Sequence, residues 1–77
     1  MITVLLFAHL QEEAGTARLT LQLDELTISE LKIELQNTYH LTRMDHVMTA
    51  INEEYATNED KIQSGDVVAL IPPVSGG

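Results

Sequence analysis

Val67-Val68-Ala69-Leu70-Ile71, bracketed by Ser64-Gly65-Asp66 and by Pro72-Pro73, decides how this chain folds. The Ser-Gly-Asp run reads as a turn, and the five residues after it present no polar face. A strand of that kind is expected to lie inside a sheet, with cover on both faces. Pro72 and Pro73 end it, because proline has no N–H to donate to a ladder. The other run of this character is Ile2-Thr3-Val4-Leu5-Leu6-Phe7-Ala8, at the opposite end of the chain. Two central strands in one small sheet are expected to be neighbours.

The segments between supply the rest of the layers. Leu10 and Ala14 are four apart and Gly15 suits a left-handed C-cap, which predicts one or two helical turns over 9–16. Residues 17–23 alternate, with Leu19, Leu21 and Leu23 on one face and Arg18, Thr20 and Gln22 on the other. That is a half-exposed edge strand, antiparallel to the first. Thr27-Ile28-Ser29-Glu30 has the spacing of a capping box. Ile28, Leu31, Leu35 and Tyr39 then form one apolar helical stripe, from which Ile33 stands apart. Residues 40–46 read as a polar loop, 47–52 as a third strand, and Tyr55-Ala56 as a short strand at most. This order predicts an α+β fold, a mixed sheet covered by one main helix. That is the ubiquitin-like β-grasp architecture, with a domain over 1–71 and an extended tail over 72–77.

Composition narrows the function. The chain has 77 residues, which fits one small domain. It has no cysteine, so it offers no disulfide scaffold, thiolate zinc site or thiol nucleophile. Four Lys/Arg against 12 Asp/Glu give a formal charge of −8. Nucleic acid and anionic membrane surfaces are therefore disfavoured, and a partner with a basic surface is favoured. The longest apolar run, Val4 to Ala8, is far short of a bilayer span, and Met1 is followed by no signal-peptide pattern, so a cytoplasmic location is expected.

No side-chain constellation stands out. The pairs Glu12/Glu13, Glu53/Glu54 and Glu59/Asp60 fall in loops or turns and read as a solvated acidic surface. His9, His40 and His46 lack the spacing of a helical metal site, so no metal is expected. Met44 and Met48 read as gap-fillers of a small core. Phe7 is core if strand one is covered on both faces, and a docking residue if its outer face is open.

The C-terminus is the exception. In Pro72-Pro73-Val74-Ser75-Gly76-Gly77 nothing is charged except the terminal carboxylate. Six extended residues reach up to about 20 Å. The prolines stiffen the first part of this arm, and the glycines make its end thin enough for a narrow channel.

These residues resemble the sulfur-carrier (small) subunit of molybdopterin synthase. The resemblance runs over essentially the whole chain, through Phe7-Ala8, Gly15, Ala50-Ile51-Asn52, Gly65-Asp66, Val68-Ala69 and, most specifically, Pro72 to Gly77. A bare Gly-Gly end would also suit a thiamine sulfur carrier, a ubiquitin-like modifier or an inert interaction module; the two prolines favour the molybdopterin branch. Many relatives carry an arginine where this chain has Gln11. The resemblance implies that no cofactor is bound. A ubiquitin-activating-like adenylyltransferase uses ATP and Mg²⁺ to make a Gly77 acyl-adenylate, and a sulfur donor converts it to a thiocarboxylate. The large subunit, in a heterotetramer, then receives the tail. On this view Gly77 is the reacting residue, and Gly76, Ser75, Val74, Pro73, Pro72 and Phe7 contact partners.

Overall fold

The capping box forms as its spacing requires. In the computed structural model, which describes residues 1–73 and only the backbone at Asp45, the Thr27 hydroxyl accepts from the Glu30 N–H at 3.1 Å. The Glu30 carboxylate accepts from the Thr27 N–H at 2.8 Å. The helix that follows, α2, spans Ile28–Tyr39. Its next free N–H groups, on Ile28 and Ser29, donate to the carbonyls of Asp60 and Asn58, both at 3.0 Å. These bonds satisfy donors that a helix start otherwise leaves unpaired. Ile28, Leu31 and Leu35 are fully buried, Tyr39 is half-buried, and Ile33 is exposed, as the stripe predicts.

Strand β1 is Ile2–Leu6, and helix α1, His9–Ala14, follows with Gly15 as its left-handed cap at φ 78°. Strand β2 is Arg18–Leu21; the main sheet is completed by β4 (Met48–Ile51), β5 (Glu54–Ala56) and β7 (Val67–Ile71). The order is β2-β1-β7-β4-β5, with β1 parallel to β7 and every other pair antiparallel. The first and last strands are thus central neighbours, in the register Thr3↔Val67 to Leu6↔Leu70. β4 and β5 are joined by Asn52 and Glu53, both at positive φ (50° and 72°), the conformation of a tight hairpin turn.

A second sheet, unforeseen in the sequence, pairs β3 (Glu25–Thr27) with β6 (Lys61–Gln63). It places Leu26 opposite the fully buried Ile62.

The expectation of cover on both faces is not met. In β1, Ile2, Val4 and Leu6 are buried while Thr3 and Leu5 are only half-buried; β7 repeats this with Val68 and Leu70. Leu10 from α1 and the buried stripe of α2 enter the same core, so both helices lie on one side of the sheet. β1 also stops at Leu6, leaving Phe7 and Ala8 outside it. The segment 40–46 is more than a polar loop: it contains a 3₁₀ turn at Met44–His46, and Leu41 and Met44 join the core, as does Val47 directly after it. Met44 is the gap-filler expected of it, but Met48 is 48% exposed. Strand alternation buries its neighbour Thr49 instead. Among the described residues no helix is long and apolar enough to cross a membrane.

Candidate functional site at the root of the tail

Strand β7 delivers the chain to Pro72, which is buried, and then to Pro73, which is exposed. The stiff arm expected to project from residue 72 therefore leaves the body no earlier than Pro73. Val74, Ser75, Gly76 and Gly77 lie outside the described residues.

Two surfaces meet at this root. The first is the open face of the main sheet. The strand registers put Thr3 and Leu5 of β1, Val67, Ala69 and Ile71 of β7, Met48 and Ala50 of β4, and Tyr55 of β5 on that one face. Tyr55 is 75% exposed and Met48 48%. Phe7 follows directly on the Leu6↔Leu70 pair, so it sits at the same end of the sheet as Ile71 and Pro72. It is 44% exposed, as a docking residue must be, rather than core.

The second surface is a cleft of about 180 Å³ lined by His9, Arg43, His46, Pro72 and Pro73. Side chains one turn apart on α1 build it. Glu13 accepts from the Thr42 N–H at 2.9 Å and from the Thr42 hydroxyl at 2.6 Å. His9 Nε2 lies 2.9 Å from the Thr42 carbonyl oxygen. A carbonyl only accepts, so that nitrogen carries the proton and donates. Both backbone polar groups of Thr42 are thereby held by α1. The next residue, Arg43, is left-handed at φ 56°, and Met44 after it is buried. A side chain other than glycine pays roughly 1–2 kcal/mol for that conformation, so the clamp and the buried methionine must hold it. The hydrogen bonds from the Thr42 hydroxyl and then the Thr42 N–H, with smaller help from His9 and Arg43, keep the Glu13 carboxyl below its ordinary value of 4.5.

The acidic pairs Glu12/Glu13, Glu53/Glu54 and Glu59/Asp60 are all exposed. Asp66 closes the turn before β7: it accepts from the Gln63 N–H at 2.8 Å and from the Asn52 amide at 3.0 Å. These bonds, Gln63 first, lower its pKa. His40 caps α2 in the left-handed conformation and takes no part in the cleft. The Arg43 cleft gives no sequence signal, because its walls come from three separated segments.

A mixed five-stranded sheet with one long helix packed on one face defines the ubiquitin-like β-grasp class. The ThiS family model matches residues 4–77, and the chain belongs to that family. It is 41% identical over 81 residues to the molybdopterin synthase sulfur carrier subunit of Drosophila melanogaster, covering 99% of this chain and 90% of that one. Among solved structures it is similar to SAMP1, the small archaeal modifier protein 1 of Haloferax volcanii, with a TM-score of 0.84 and 30% identity over 99% of this chain and 98% of that one. It also shares its fold with a chain of the complex of subunits 1 and 2 of molybdopterin-converting factor from Helicobacter pylori, with a TM-score of 0.69 and 24% identity over 99% and 97% of the two chains.

Proposed function

We propose that this chain is the sulfur-carrier small subunit of molybdopterin synthase and works in the cytoplasm. The observation that carries the reading is a family match running through residues 4–77, tail included, together with a full-length relative of that name at 41% identity.

The chemistry belongs to the Gly77 carboxylate. A carboxylate is a poor electrophile, so an adenylyltransferase first attaches AMP from ATP, with Mg²⁺, and releases pyrophosphate. Sulfide released by a sulfur donor then attacks the acyl carbon and AMP departs, leaving a thiocarboxylate. In the large subunit this sulfur attacks a carbon of the pterin precursor, from which an oxygen substituent departs, and water then cleaves the acyl C–S bond and restores the carboxylate. Two such transfers supply the two sulfurs of the dithiolene. With no cysteine, the chain has no side-chain thiol for this cargo. Gly76 keeps the arm thin, Val74 and Ser75 seat it, and Pro73 restricts its departure from the domain.

The large subunit covers the open sheet face around Phe7, Ile71 and Met48. That face supplies apolar area for docking, while the −8 body speeds encounter with a basic partner. Reconstitution tests the reading: the loaded chain, the large subunit and the pterin precursor yield dithiolene product. The unloaded chain yields none. Equal product from both overturns it.

The likeness to an archaeal modifier protein favours a second reading, in which Gly77 is joined to lysines of other proteins. Isopeptide-linked Gly-Gly remnants on target lysines, with no product in the reconstitution, select that reading.

A further inference from the structure

We infer that the His9–Arg43–His46 cleft is a carboxylate-binding site, which seats one acidic side chain at the mouth of the partner channel that receives the tail. The inference rests on the carrier reading and adds a contact to it.

Local charge is the first argument. The chain carries −8, with only four Lys/Arg and three His, yet one Arg and two His line this single cleft. Among the described residues no acidic side chain lines it. Glu13 stands behind it but uses both oxygens on Thr42, and the Arg43 charge is the weakest of the influences that lower its pKa. Arg43 is therefore not consumed by Glu13.

Placement is the second. Arg43 sits in a conformation that its residue type does not favour, and α1 grips Thr42 just before it from both sides. The guanidinium is thus presented from a fixed backbone, and its planar fork matches a carboxylate.

Continuity with the tail is the third. Pro72 and Pro73 form a wall of the cleft, so a partner that receives the residues after Pro73 comes close to it. Four residues span at most about 14 Å. The occupant assigned to the cleft is a side chain of the surface that receives the tail. One acidic residue on an otherwise basic partner would fix register and reject wrong partners, since like charges meet in any other alignment.

The test measures binding of the full chain to its purified large subunit by surface plasmon resonance. Arg43→Asn removes the charge with a residue that tolerates the left-handed region; Arg43→Glu reverses it. Lys61→Asn, on the separate β3–β6 sheet, is the control for net charge. Circular dichroism melts establish that each variant is folded. The expected losses of affinity are at least about tenfold for Arg43→Asn and at least about a hundredfold for Arg43→Glu, mostly in the off-rate, with Lys61→Asn within about twofold. Arg43 variants within twofold of the parent overturn the cleft and leave the carrier reading standing. A change in on-rate alone, erased by salt, means steering only and also overturns the seated contact. Failure of the unaltered chain to bind overturns the carrier reading and this inference together.

Discussion

Leu31→Ala probes whether α2 lies on the sheet in the register described. Leu31 has no exposed surface and belongs to the same buried cluster as Ile2, Val4, Val68 and Leu70. Truncating a fully buried leucine loses its transfer free energy and leaves a cavity, about 2–5 kcal/mol together. A domain of this length has a total stability of roughly 4–12 kcal/mol at the usual 0.05–0.15 kcal/mol per residue. The change thus removes a large fraction of it. At about 4–8 °C per kcal/mol, the midpoint of melting should fall by about 8 °C or more. Ile33→Ala is the paired control, two positions along the same helix and 54% exposed. It should stay within about 0.5 kcal/mol of the parent. Urea unfolding followed by far-ultraviolet circular dichroism measures both, and an unchanged m-value shows that the same surface is being exposed. A Leu31→Ala loss below 0.5 kcal/mol, or an Ile33→Ala loss as large as that of Leu31→Ala, refutes the packing.

Three further outcomes follow from local geometry and charge. Ala8 links β1 to α1 at φ 53° and ψ −131°. Strain of about 1–3 kcal/mol there, less about 0.5–1 for the freedom of glycine, predicts that Ala8→Gly raises stability by about 1 kcal/mol in the same unfolding assay. Glu13 has a lowered folded-state pKa, so its contribution is present above the ordinary value of 4.5 and is lost as pH falls through the lower folded value. Glu13→Gln should therefore be less stable than the parent near neutrality, with the difference closing as pH falls below the ordinary value of 4.5; a difference that stays constant through that fall contradicts the assignment. Association with the large subunit should slow as salt rises from about 0.05 to 0.3 M, because steering by a charge of −8 is screened within about 10 Å at 0.1 M. A salt-independent on-rate removes charge from the account.

The elements legible in the sequence were those whose signals are local. Thr27 and Glu30 set the start of α2, and the spacing of Ile28, Leu31 and Leu35 set its buried face. Gly65 and Pro72 bracketed β7, and two apolar runs were enough to make β1 and β7 neighbours. What escaped depends on distant partners. The three-residue strands β3 and β6 are too short to show alternation, and only their pairing buries Ile62. Met48 looked like core, but the pairing Met48↔Ile71 sends it outward and the polar Thr49 in. The apolar character of β1 and β7 predicts cover on both faces; half of it instead forms an open face. At the site, Pro72, Pro73 and Phe7 could be singled out in advance. Arg43 could not, because its left-handed backbone is imposed by Glu13 and His9 through Thr42 rather than by its own residue type.

The central claim is that Gly77 carries sulfur on its carboxylate. The most direct measurement is the intact mass of the full chain after incubation with the adenylyltransferase, ATP, Mg²⁺ and a sulfur donor. The parent chain should gain the mass difference between one sulfur and one oxygen, and the gain should disappear when ATP is withheld. A chain with one residue appended after Gly77 should gain nothing, and Gly76→Val, whose β-branched side chain thickens and stiffens the arm, should gain little. Loading of the appended chain at the normal rate, or no mass change in the parent, contradicts the account.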